Sequence, residues 1–542
     1  MSAEPVDVVI VGAGPTGAVA ALHLIQAGLS VVCLEQGAEF DYGLAQADRP
    51  EWELVKDRWF AWNPNRRKGE HDYPINDADS SVAPLMWNGL GGSSVLYAAA
   101  WHRLKPSDFR VRTLDGVAAD WPISYSDLVP YYERVERDFA VSGLGGDPAY
   151  PPGLEYDMPP FGLSDMDRRL AAAHDRLGWH WWPGSNAIAT QRFGALRPCV
   201  RRGACMWGCV DSAKASVDRS HWPRARALGV ELRLRSRVLR IETDRDGRAT
   251  GVIWTERGSG VEQFQAARTV VVAANGVGTP RLLLNSSSTR HPDGLGNSSG
   301  LVGRNLMMHP HATAVGLFDD FFESWQGPTG QRSYSLEFSE TGSDRDHVRG
   351  AKWQLMGTGG PFNVVGSFPF GGEGAWGPQF HDTVRQRFGH SAVWSIVSED
   401  LPLLENRVEL DETLVDADGM PAPKITYRTS ENSRRLLRFH EQKASESLLE
   451  AGAYDVVIAP GLRETGWHLL GTARMGDDPA CSVVDRWNRL HDAQNVLVID
   501  GSVMPTSSCV NPTGTVVALA LRAAESLVRR DVGAPLEPAM TP

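Results

Sequence analysis

The stretch Asp7–Gly37, DVVIVGAGPTGAVAALHLIQAGLSVVCLEQG, decides the fold of the N-terminal part of the chain. Its apolar run Val8–Val11 is typical of a strand that is buried on both faces, and residues 18–27 have the periodicity of a helix. Gly28 is suited to end that helix, and SVVCLE predicts a second strand. The order strand, glycine turn, helix, strand predicts a parallel sheet of the Rossmann type.

The glycines of this turn follow the pattern G-x-G-x-x-G, and an acid ends the second strand. Gly12 permits a tight turn, Gly14 lets a pyrophosphate approach the backbone, and Gly17 lets the helix pack closely on the strand. The N-terminus of the helix offers unpaired N–H groups to phosphates, and Glu35 is placed to accept hydrogen bonds from ribose hydroxyls. A glycine turn without a ligand requires neither three glycines nor the acid, so the segment predicts a dinucleotide site.

Length and charge limit the class of protein. The 542 residues are enough for two or three domains, and the net charge of −12 argues against binding to nucleic acid or anionic lipid. We see no run of about 18 apolar residues and no signal-peptide pattern, so we expect no membrane span and no secretion. Six cysteines in so long a chain do not form a disulfide framework. These features predict a cytoplasmic protein.

A second strand–turn–helix pattern occurs at Thr269–Ser286, TVVVAANGVGTPRLLLNS, after an alternating segment, Val230–Asp244, that predicts an antiparallel meander. Two nucleotide-facing units that are separated by a meander favour an elongated FAD over a nicotinamide cofactor. Residues 315–460 predict strands with long loops, and Asn495–Leu527 predicts a strand, a loop and a long helix.

An amphipathic helix is predicted within Trp121–Gly143. Ser124 can cap its N-terminus. One apolar stripe would face the core; it consists of Leu128, Tyr132, Val135 and Phe139.

Motifs at both ends of the chain resemble the glucose–methanol–choline (GMC) oxidoreductases, FAD enzymes that oxidise alcohols. Two further stretches, WPISYSDLVPYYERVE and SEDLPLLENRVELD, are similar to the branch that contains pyranose oxidases and the flavin subunits of gluconate-type dehydrogenases. The main matching stretches are VGAGPTGAVAALHLIQAGLSVVCLEQG, LGGSSVLYAAAWHRLKPSDF, NGVGTPRLLLNSS, GLVGRNLMMHP, WHLLGTARMG and VLVIDGSVMPTSSCVNPTGTVVALALRAAE.

The resemblance implies an α/β fold with a Rossmann-type FAD-binding domain. It also implies a substrate domain that is inserted into the FAD-binding domain and is built on a mainly antiparallel sheet with flanking helices. We expect the FAD-binding domain to comprise residues 1–110, 199–314 and 461–542, and the substrate domain to comprise residues 111–198 and 315–460.

The resemblance also implies two catalytic side chains. In the family, the histidine before the Gly-Thr turn lies beside the flavin, and here it is His468. The second position, histidine or asparagine in the family, is Asn511. A neutral imidazole can take the proton of an alcohol, whereas an amide can only orient it, so we expect His468 to be the base. The positions that match the cofactor-binding residues of the family are Gly12, Gly14, Thr16, Gly17, Glu35, Gly92, Ser93, Ser94, Tyr97, Val238, Asp500, Gly501, Asn511 and Thr513.

The sequence departs from the family near the flavin. Pyranose oxidases that attach FAD covalently carry a histidine where this chain has Leu96, and leucine cannot form that bond. We therefore predict non-covalent FAD. His102 is out of register for attachment, and we interpret it as a polar loop histidine. Tyr97 and Ala98 also differ from the residues common in the family, which leaves the reactivity towards oxygen open.

Three further features are ambiguous. Cysteines cluster at Cys199, Cys205 and Cys209, but a metal site would want four ligands, so we predict no metal and a packed loop near the cofactor; a disulfide stays open. The glycine-rich segment 356–378 predicts either a lid or a surface insert. Tryptophans that can act as carbohydrate platforms, although we expect most of them to be core or interface residues, are Trp179, Trp181, Trp182, Trp353 and Trp376. A predicted solvated patch consists of Arg66, Arg67 and Lys68.

These features predict that the protein oxidises a secondary hydroxyl of a pyranose sugar or glycoside to a ketone. Electrons would pass to oxygen or a quinone-type acceptor. The main alternative is the flavin subunit of a gluconate-type dehydrogenase that passes electrons to a cytochrome or quinone, and a small aliphatic alcohol or choline is less favoured. A flavin-binding protein without turnover would not need both His468 and Asn511. A homo-oligomer is left open.

Overall fold

The computed structural model describes residues 5–45, 53, 60–366, 368–371 and 374–532, without the side chains of residues 531 and 532. The strands are β1 Val6–Val11, β2 Val31–Leu34, β3 Asn76–Ser80, β4 Trp182–Pro183, β5 Glu231–Arg233, β6 Ser236–Thr243, β7 Ala249–Glu256, β8 Glu262–Val272, β9 His311–Leu317, β10 Ser333–Ser335, β11 Ala351–Met356, β12 Ser391–Ser398, β13 Arg407–Val415, β14 Pro421–Tyr427, β15 Asp455–Ala459 and β16 Val496–Val498. The α-helices are α1 Pro15–Gln26, α2 Pro64–Arg67, α3 Val111–Asp115, α4 Tyr125–Asp138, α5 Asp165–Leu177, α6 Val217–Ser220, α7 Trp222–Ala227, α8 Asn275–Asn285, α9 Pro361–Val365, α10 Phe380–Arg387, α11 Glu431–Glu450 and α12 Thr513–Val532.

The first sheet is the predicted Rossmann-type unit. Its strand order is β5-β2-β1-β8-β7-β6, with β16 paired to β8. Strand β1 runs parallel to β2 and β8, and residues 8–10 are at most 1% exposed, as a strand covered on both faces requires. Helix α1 begins at Pro15, earlier than the periodicity suggested, and Gly28 follows its end with a left-handed φ of +86°.

The predicted meander is confirmed for β6, β7 and β8, which pair antiparallel. The prediction is wrong for its first residues. Glu231–Arg233 forms a separate strand that pairs parallel with β2. The alternation of residues cannot show whether this segment pairs with β2 or with the meander, because the pairing depends on where the preceding helix returns the chain.

The second sheet, with strand order β15-β9-β12-β11-β10-β4, is antiparallel throughout. Helix α11 packs on it, with Leu436, Ala444 and Leu448 fully buried. This 20-residue helix was not predicted within the supposed strand region. The fold class, a Rossmann-type sheet together with a mainly antiparallel sheet and flanking helices, is confirmed.

The C-terminal helix α12 packs against α1 and α4. Helix α4 carries the predicted cap, since the Ser124 hydroxyl accepts from the Asp127 N–H and the Asp127 carboxylate accepts from the Ser124 N–H. The predicted apolar stripe of α4 is at most 1% exposed. A small sheet, β13-β14-β3, completes the fold.

In the described part of the chain, no helix combines the length and apolarity that crossing a membrane requires. The domain boundaries given above stay predictions.

Candidate active site

A cleft runs from the carboxyl ends of β1 and β2 to His468. The loops that follow parallel strands meet at this edge of the sheet, which is where such folds bind nucleotides. The structure therefore brings most of the predicted cofactor residues to one place. Those that line the cleft are Gly12, Gly14, Thr16, Glu35, Gly92, Ser93, Val238, Asp500, Gly501 and Thr513.

The glycine turn is as tight as predicted. Gly12 has a φ of +104°, and a Cβ atom on Gly17 would lie 2.1 Å from the Gly12 carbonyl oxygen. A Cβ atom on Gly92 would lie 2.8 Å from the Cα atom of Gly14, so two glycine loops face each other across the cleft. No side chain caps the N-terminus of α1, and its first turn carries no acid. This end of the helix is therefore suited to hold a pyrophosphate.

The far end of the cleft has the polar groups that an adenosine needs. The Glu35 carboxylate accepts from the N–H groups of Ala13 at 2.9 Å and Gly37 at 2.8 Å, and burial raises its pKa. Arg237, which belongs to no motif and was not predicted, forms a buried ion pair with Asp416. Within the described residues, Nε and Nη2 of Arg237 have no acceptor. Buried donors normally find a partner, and a bound nucleotide would supply acceptors for these two. The site therefore fits the adenosine half of FAD.

An inner cavity of about 140 Å³ adjoins the cleft. His468 and Asn511 both line it, and His468 and Thr513 line the cleft as well. The two predicted catalytic side chains therefore face one space that continues into the dinucleotide cleft. Leu96 and Tyr97 also line this cavity.

A hydrogen-bond chain defines which nitrogen of His468 carries the proton. His309 Nε2 lies 3.2 Å from the Ser507 carbonyl oxygen, which can only accept, so this nitrogen carries a hydrogen. In neutral His309, Nδ1 then accepts from His468 Nδ1 at 2.7 Å. Nε2 of His468 is left with its lone pair.

Burial also lowers the pKa of His468 well below its ordinary value of 6.5. The neighbouring His309, His311 and Lys352 lower it further. The neutral form is therefore the stable one, and Nε2 is available as a base. No role was predicted for His309, although it lies in the family-like stretch GLVGRNLMMHP.

An outer cavity of about 780 Å³ adjoins the inner one. Four side chains line both cavities and mark where the two spaces meet: Trp62, Met206, Met356 and Phe368. The glycine-rich segment forms one wall of the outer cavity and includes helix α9, in which Val364 and Val365 are buried. The wall is in the place that a lid would occupy, and a lid motion stays a prediction.

The five tryptophans that were considered as platforms or as core residues lie away from these spaces. Trp353 is a core residue, and Trp376 is 80% exposed. In the described structure none of the five tryptophans lines the cleft or either cavity. The indole rings at these spaces belong to Trp62, Trp87, Trp207 and Trp467.

Arg67 was wrongly assigned to a solvated patch. Its side chain is 5% exposed, pairs with Asp72 and lies 4.8 Å above the Trp87 ring. Arg66, in contrast, is exposed and forms an ion pair with Glu464 at 2.7 Å.

His102 lies in an irregular segment but is buried, unlike a polar loop histidine. Its Nε2 is 2.8 Å from Gln331 Oε1 and its Nδ1 is 3.3 Å from the Tyr150 hydroxyl. Both ring nitrogens therefore have partners in the protein.

The three clustered cysteines have free thiols. Cys205 begins the short 3-10 helix Cys205–Trp207, whose Met206 reaches the inner cavity. The buried Lys214 ammonium donates to the carbonyl oxygens of Cys205 at 2.7 Å and Val95 at 2.8 Å. The cysteine loop is thus packed against the segment that lines the inner cavity. Among the described residues, no group of three or more His, Cys, Asp or Glu side chains is arranged as metal ligands.

An FAD-dependent alcohol oxidoreductase is the class that this fold and site define. Comparison with known families agrees, since a GMC oxidoreductase N-terminal model matches residues 6–311 and its C-terminal counterpart matches residues 402–520. The chain belongs to the GMC oxidoreductase family, whose members are FAD-binding flavoproteins.

Several characterised relatives match almost the whole chain. The 2-methyl-1,2-propanediol dehydrogenase of Mycolicibacterium austroafricanum is 38% identical over 98% of this chain and 96% of its own. The 6'''-hydroxyparomomycin C oxidase of Streptomyces lividus is 33% identical over 96% of this chain and 91% of its own. Pyridoxine 4-oxidase from Mesorbium loti has the same fold, with a TM-score of 0.66, 19% identity and coverage of 96% of this chain and 99% of its own.

Proposed function

We propose that this protein oxidises a secondary hydroxyl of a pyranose sugar or glycoside to a ketone. The observation that carries the proposal is the convergence of His468 and Asn511 on one cavity that continues into a dinucleotide cleft. The outer cavity of about 780 Å³ leaves room for the rest of a sugar ring beyond the reacting carbon. A relative that acts as an oxidase of 6'''-hydroxyparomomycin C, at 33% identity, supports a sugar-like substrate.

The side chains divide the chemistry between them. When bound, FAD supplies the acceptor for the hydride of the carbinol carbon. His468 takes the hydroxyl proton at Nε2, and Asn511 hydrogen-bonds the same hydroxyl and fixes its orientation. The largely apolar lining of the inner cavity excludes water from both groups.

A small aliphatic diol is the second candidate substrate. The inner cavity measures only about 140 Å³, and Leu85, Met86, Leu96 and Ala98 form much of its wall. The 38% identical relative is a dehydrogenase of 2-methyl-1,2-propanediol. A diol would fit within the inner cavity, whereas a sugar ring would extend into the outer cavity.

We propose that FAD is bound non-covalently. Leu96 occupies the position of the attaching histidine in covalent relatives and lines the inner cavity, and its side chain has no nucleophile. Precipitation of the purified protein with trichloroacetic acid should leave all yellow flavin in the supernatant. Flavin that stays with the pellet would contradict the proposal.

The electron acceptor is proposed to be oxygen or a quinone-type molecule. A relative named fructose dehydrogenase large subunit, from Gluconobacter japonicus, is 29% identical. The alternative of a dehydrogenase subunit that passes electrons to a cytochrome or quinone therefore stays open. Stopped-flow reoxidation of the reduced enzyme by oxygen, by a quinone and by a one-electron dye separates these acceptors.

The substrate proposal is tested by mixing the oxidised holoenzyme anaerobically with free pyranoses, glycosides, 1,2-diols and primary alcohols. Loss of the flavin absorbance identifies substrates, and the structure of the product identifies the oxidised carbon. Ketoses from pyranoses or glycosides support the first candidate. Reduction by diols alone would replace it with the second, and reduction by none would reject alcohol oxidation.

A further inference from the structure

Lys352 is a buried cation beside the proposed reacting groups. It lies in β11 and is 0% exposed. Its Nζ donates to Gln331 Oε1 at 2.7 Å, to Gln354 Oε1 at 2.9 Å and to Asn511 Oδ1. Among the described residues, no carboxylate forms an ion pair with it. A buried charge without a counter-ion destabilises a fold, so its presence beside Asn511 and His468 indicates a role in the site rather than in stability.

The three oxygens around Lys352 indicate that it is protonated. Gln331 Nε2 donates to the Ser185 carbonyl oxygen at 3.1 Å, so the oxygen of this carboxamide must face Lys352. An ammonium has three N–H donors and no acceptor, which matches three oxygens, whereas a neutral amine would set its lone pair against one of them. Burial lowers the pKa of Lys352, whereas hydrogen bonds to three oxygens favour the charged form.

Asn511 takes its orientation from this cation. Because Oδ1 is held by Lys352, Nδ2 is turned away from it, and Asn511 lines the inner cavity together with His468. In the part of the chain that the structure describes, no protein group accepts a hydrogen bond from Nδ2. The carboxamide therefore offers a donor, and not an acceptor, to a molecule in the inner cavity.

We propose that Lys352 is a positioning residue for alcohol oxidation, which holds Asn511 so that Nδ2 donates to the hydroxyl oxygen of the substrate. This inference rests on the proposed function. A substrate oxygen that accepts from Asn511 can direct its own hydrogen only towards His468. With Lys352 removed, the carboxamide can rotate and present Oδ1, which competes with His468 for that hydrogen.

A double-mutant cycle tests the proposal. Lys352→Met, of similar length and without charge, should slow flavin reduction by the best alcohol by about tenfold or more, because the orientation is lost. In the Asn511→Ala background the same substitution should have an effect of less than about twofold, because nothing remains to be oriented. If the double variant showed the product of the two single effects on the rate of flavin reduction, Lys352 would not act through Asn511. That result would overturn the proposal.

A binding measurement gives a second readout that does not depend on turnover. tert-Butanol has a hydroxyl but no hydrogen on its carbinol carbon, so it is bound without being oxidised. Its dissociation constant, from the perturbation of the bound flavin spectrum, should rise several-fold in Lys352→Met and in Asn511→Ala, and no further in the double variant. An affinity that Lys352→Met leaves unchanged would contradict the proposal.

Lys105→Met is the matched control. This lysine is also buried, but its ammonium binds Ser339 at 2.8 Å and Glu340 instead of Asn511. We expect it to lower stability and to change the tert-butanol dissociation constant less than about twofold. A rise as large as that of Lys352→Met would show a general effect of buried charge and would reject the positioning role.

If Lys352→Met does not fold with FAD, Lys352→Arg replaces it in the double-mutant cycle. It keeps N–H donors, so any change it makes to flavin reduction should vanish in the Asn511→Ala background, and a change that persists there overturns the proposal. Failure of the proposed function is distinguishable, because the wild-type flavin would then be reduced by no alcohol while the tert-butanol comparison still reports on Lys352.

Discussion

At the scale of single residues, the site depends on histidines that burial keeps neutral. The chain from the Ser507 carbonyl oxygen through His309 assigns the hydrogen of His468 to Nδ1. A histidine with an ordinary pKa would lose much of its base form in mildly acidic solution. The lowered pKa of His468 removes that restriction.

The pH dependence of flavin reduction follows from this direction. A depressed histidine pKa preserves the neutral base as the pH falls, so the rate constant should be level above pH 6.5 and decline only below it. Anaerobic stopped-flow measurements between pH 5 and 9 check this. A midpoint at or above 6.5 would mean that the site does not depress the pKa of His468.

At the scale of elements, the β1–turn–α1 unit determines whether the cofactor is held. Gly17→Ala would put a Cβ atom 2.1 Å from the Gly12 carbonyl oxygen, and α1 would have to move away from the turn. We expect a folded protein with little bound flavin, measured as the ratio of absorbance at 450 and 280 nm. Full flavin occupancy in this variant would show that the close approach is not needed.

Gly28→Ala is the control for this prediction. Gly28 follows the C-terminal end of α1 and has a φ of +86°, but a Cβ atom there would meet no atom within 4 Å. The substitution should cost about 1 kcal/mol in the free energy of unfolding and leave flavin occupancy unchanged.

The β1–turn–α1 unit was predictable from sequence because its signals are local. The glycine spacing, the apolar run Val8–Val11 and the terminal Glu35 all lie within one short stretch. Helix α11 was missed although its apolar residues recur at helical spacing, because the whole region 315–460 was interpreted as strands. The parallel pairing of Glu231–Arg233 depends on tertiary packing and leaves no local signal.

The candidate site was predicted less completely than the fold. His468 and Asn511 came from the family resemblance, and the structure places both at one cavity. Lys352, Met206 and Trp62 belong to no motif. Met206 and Trp62 reach the inner cavity, and Lys352 reaches Asn511, only after distant segments fold together. Sequence patterns report which face of an element is buried, and they do not report which distant side chains meet there.

At the scale of the whole molecule, a buried ion cluster connects the second sheet to segments outside it. Arg349, which lies just before β11, pairs with Asp108 and, at 2.9 Å, with Glu399. The Asp108 carboxylate also accepts from the Ser508 hydroxyl at 2.8 Å, in the loop that leads to Asn511. Burial raises the pKa of Glu399 to about 7, against the pull of Arg349.

Arg349→Met should therefore destabilise the protein by about 3–5 kcal/mol, because it leaves buried carboxylates without their cation. Carboxylates in that state take up protons, so the loss in the thermal unfolding midpoint should be smaller at pH 6 than at pH 8. Arg66→Met, which removes an exposed ion pair with Glu464, should cost about 1 kcal/mol or less. Equal losses in the two variants would contradict a structural role for the buried cluster.

The central claim is that His468 removes the hydroxyl proton of an alcohol beside the bound flavin. The most direct test is anaerobic flavin reduction by the best alcohol in wild type and in His468→Ala, at matched flavin occupancy. We expect the variant to keep FAD and to be reduced about 100-fold more slowly or worse, as loss of a general base requires. Reduction of the variant at the wild-type rate would contradict the account.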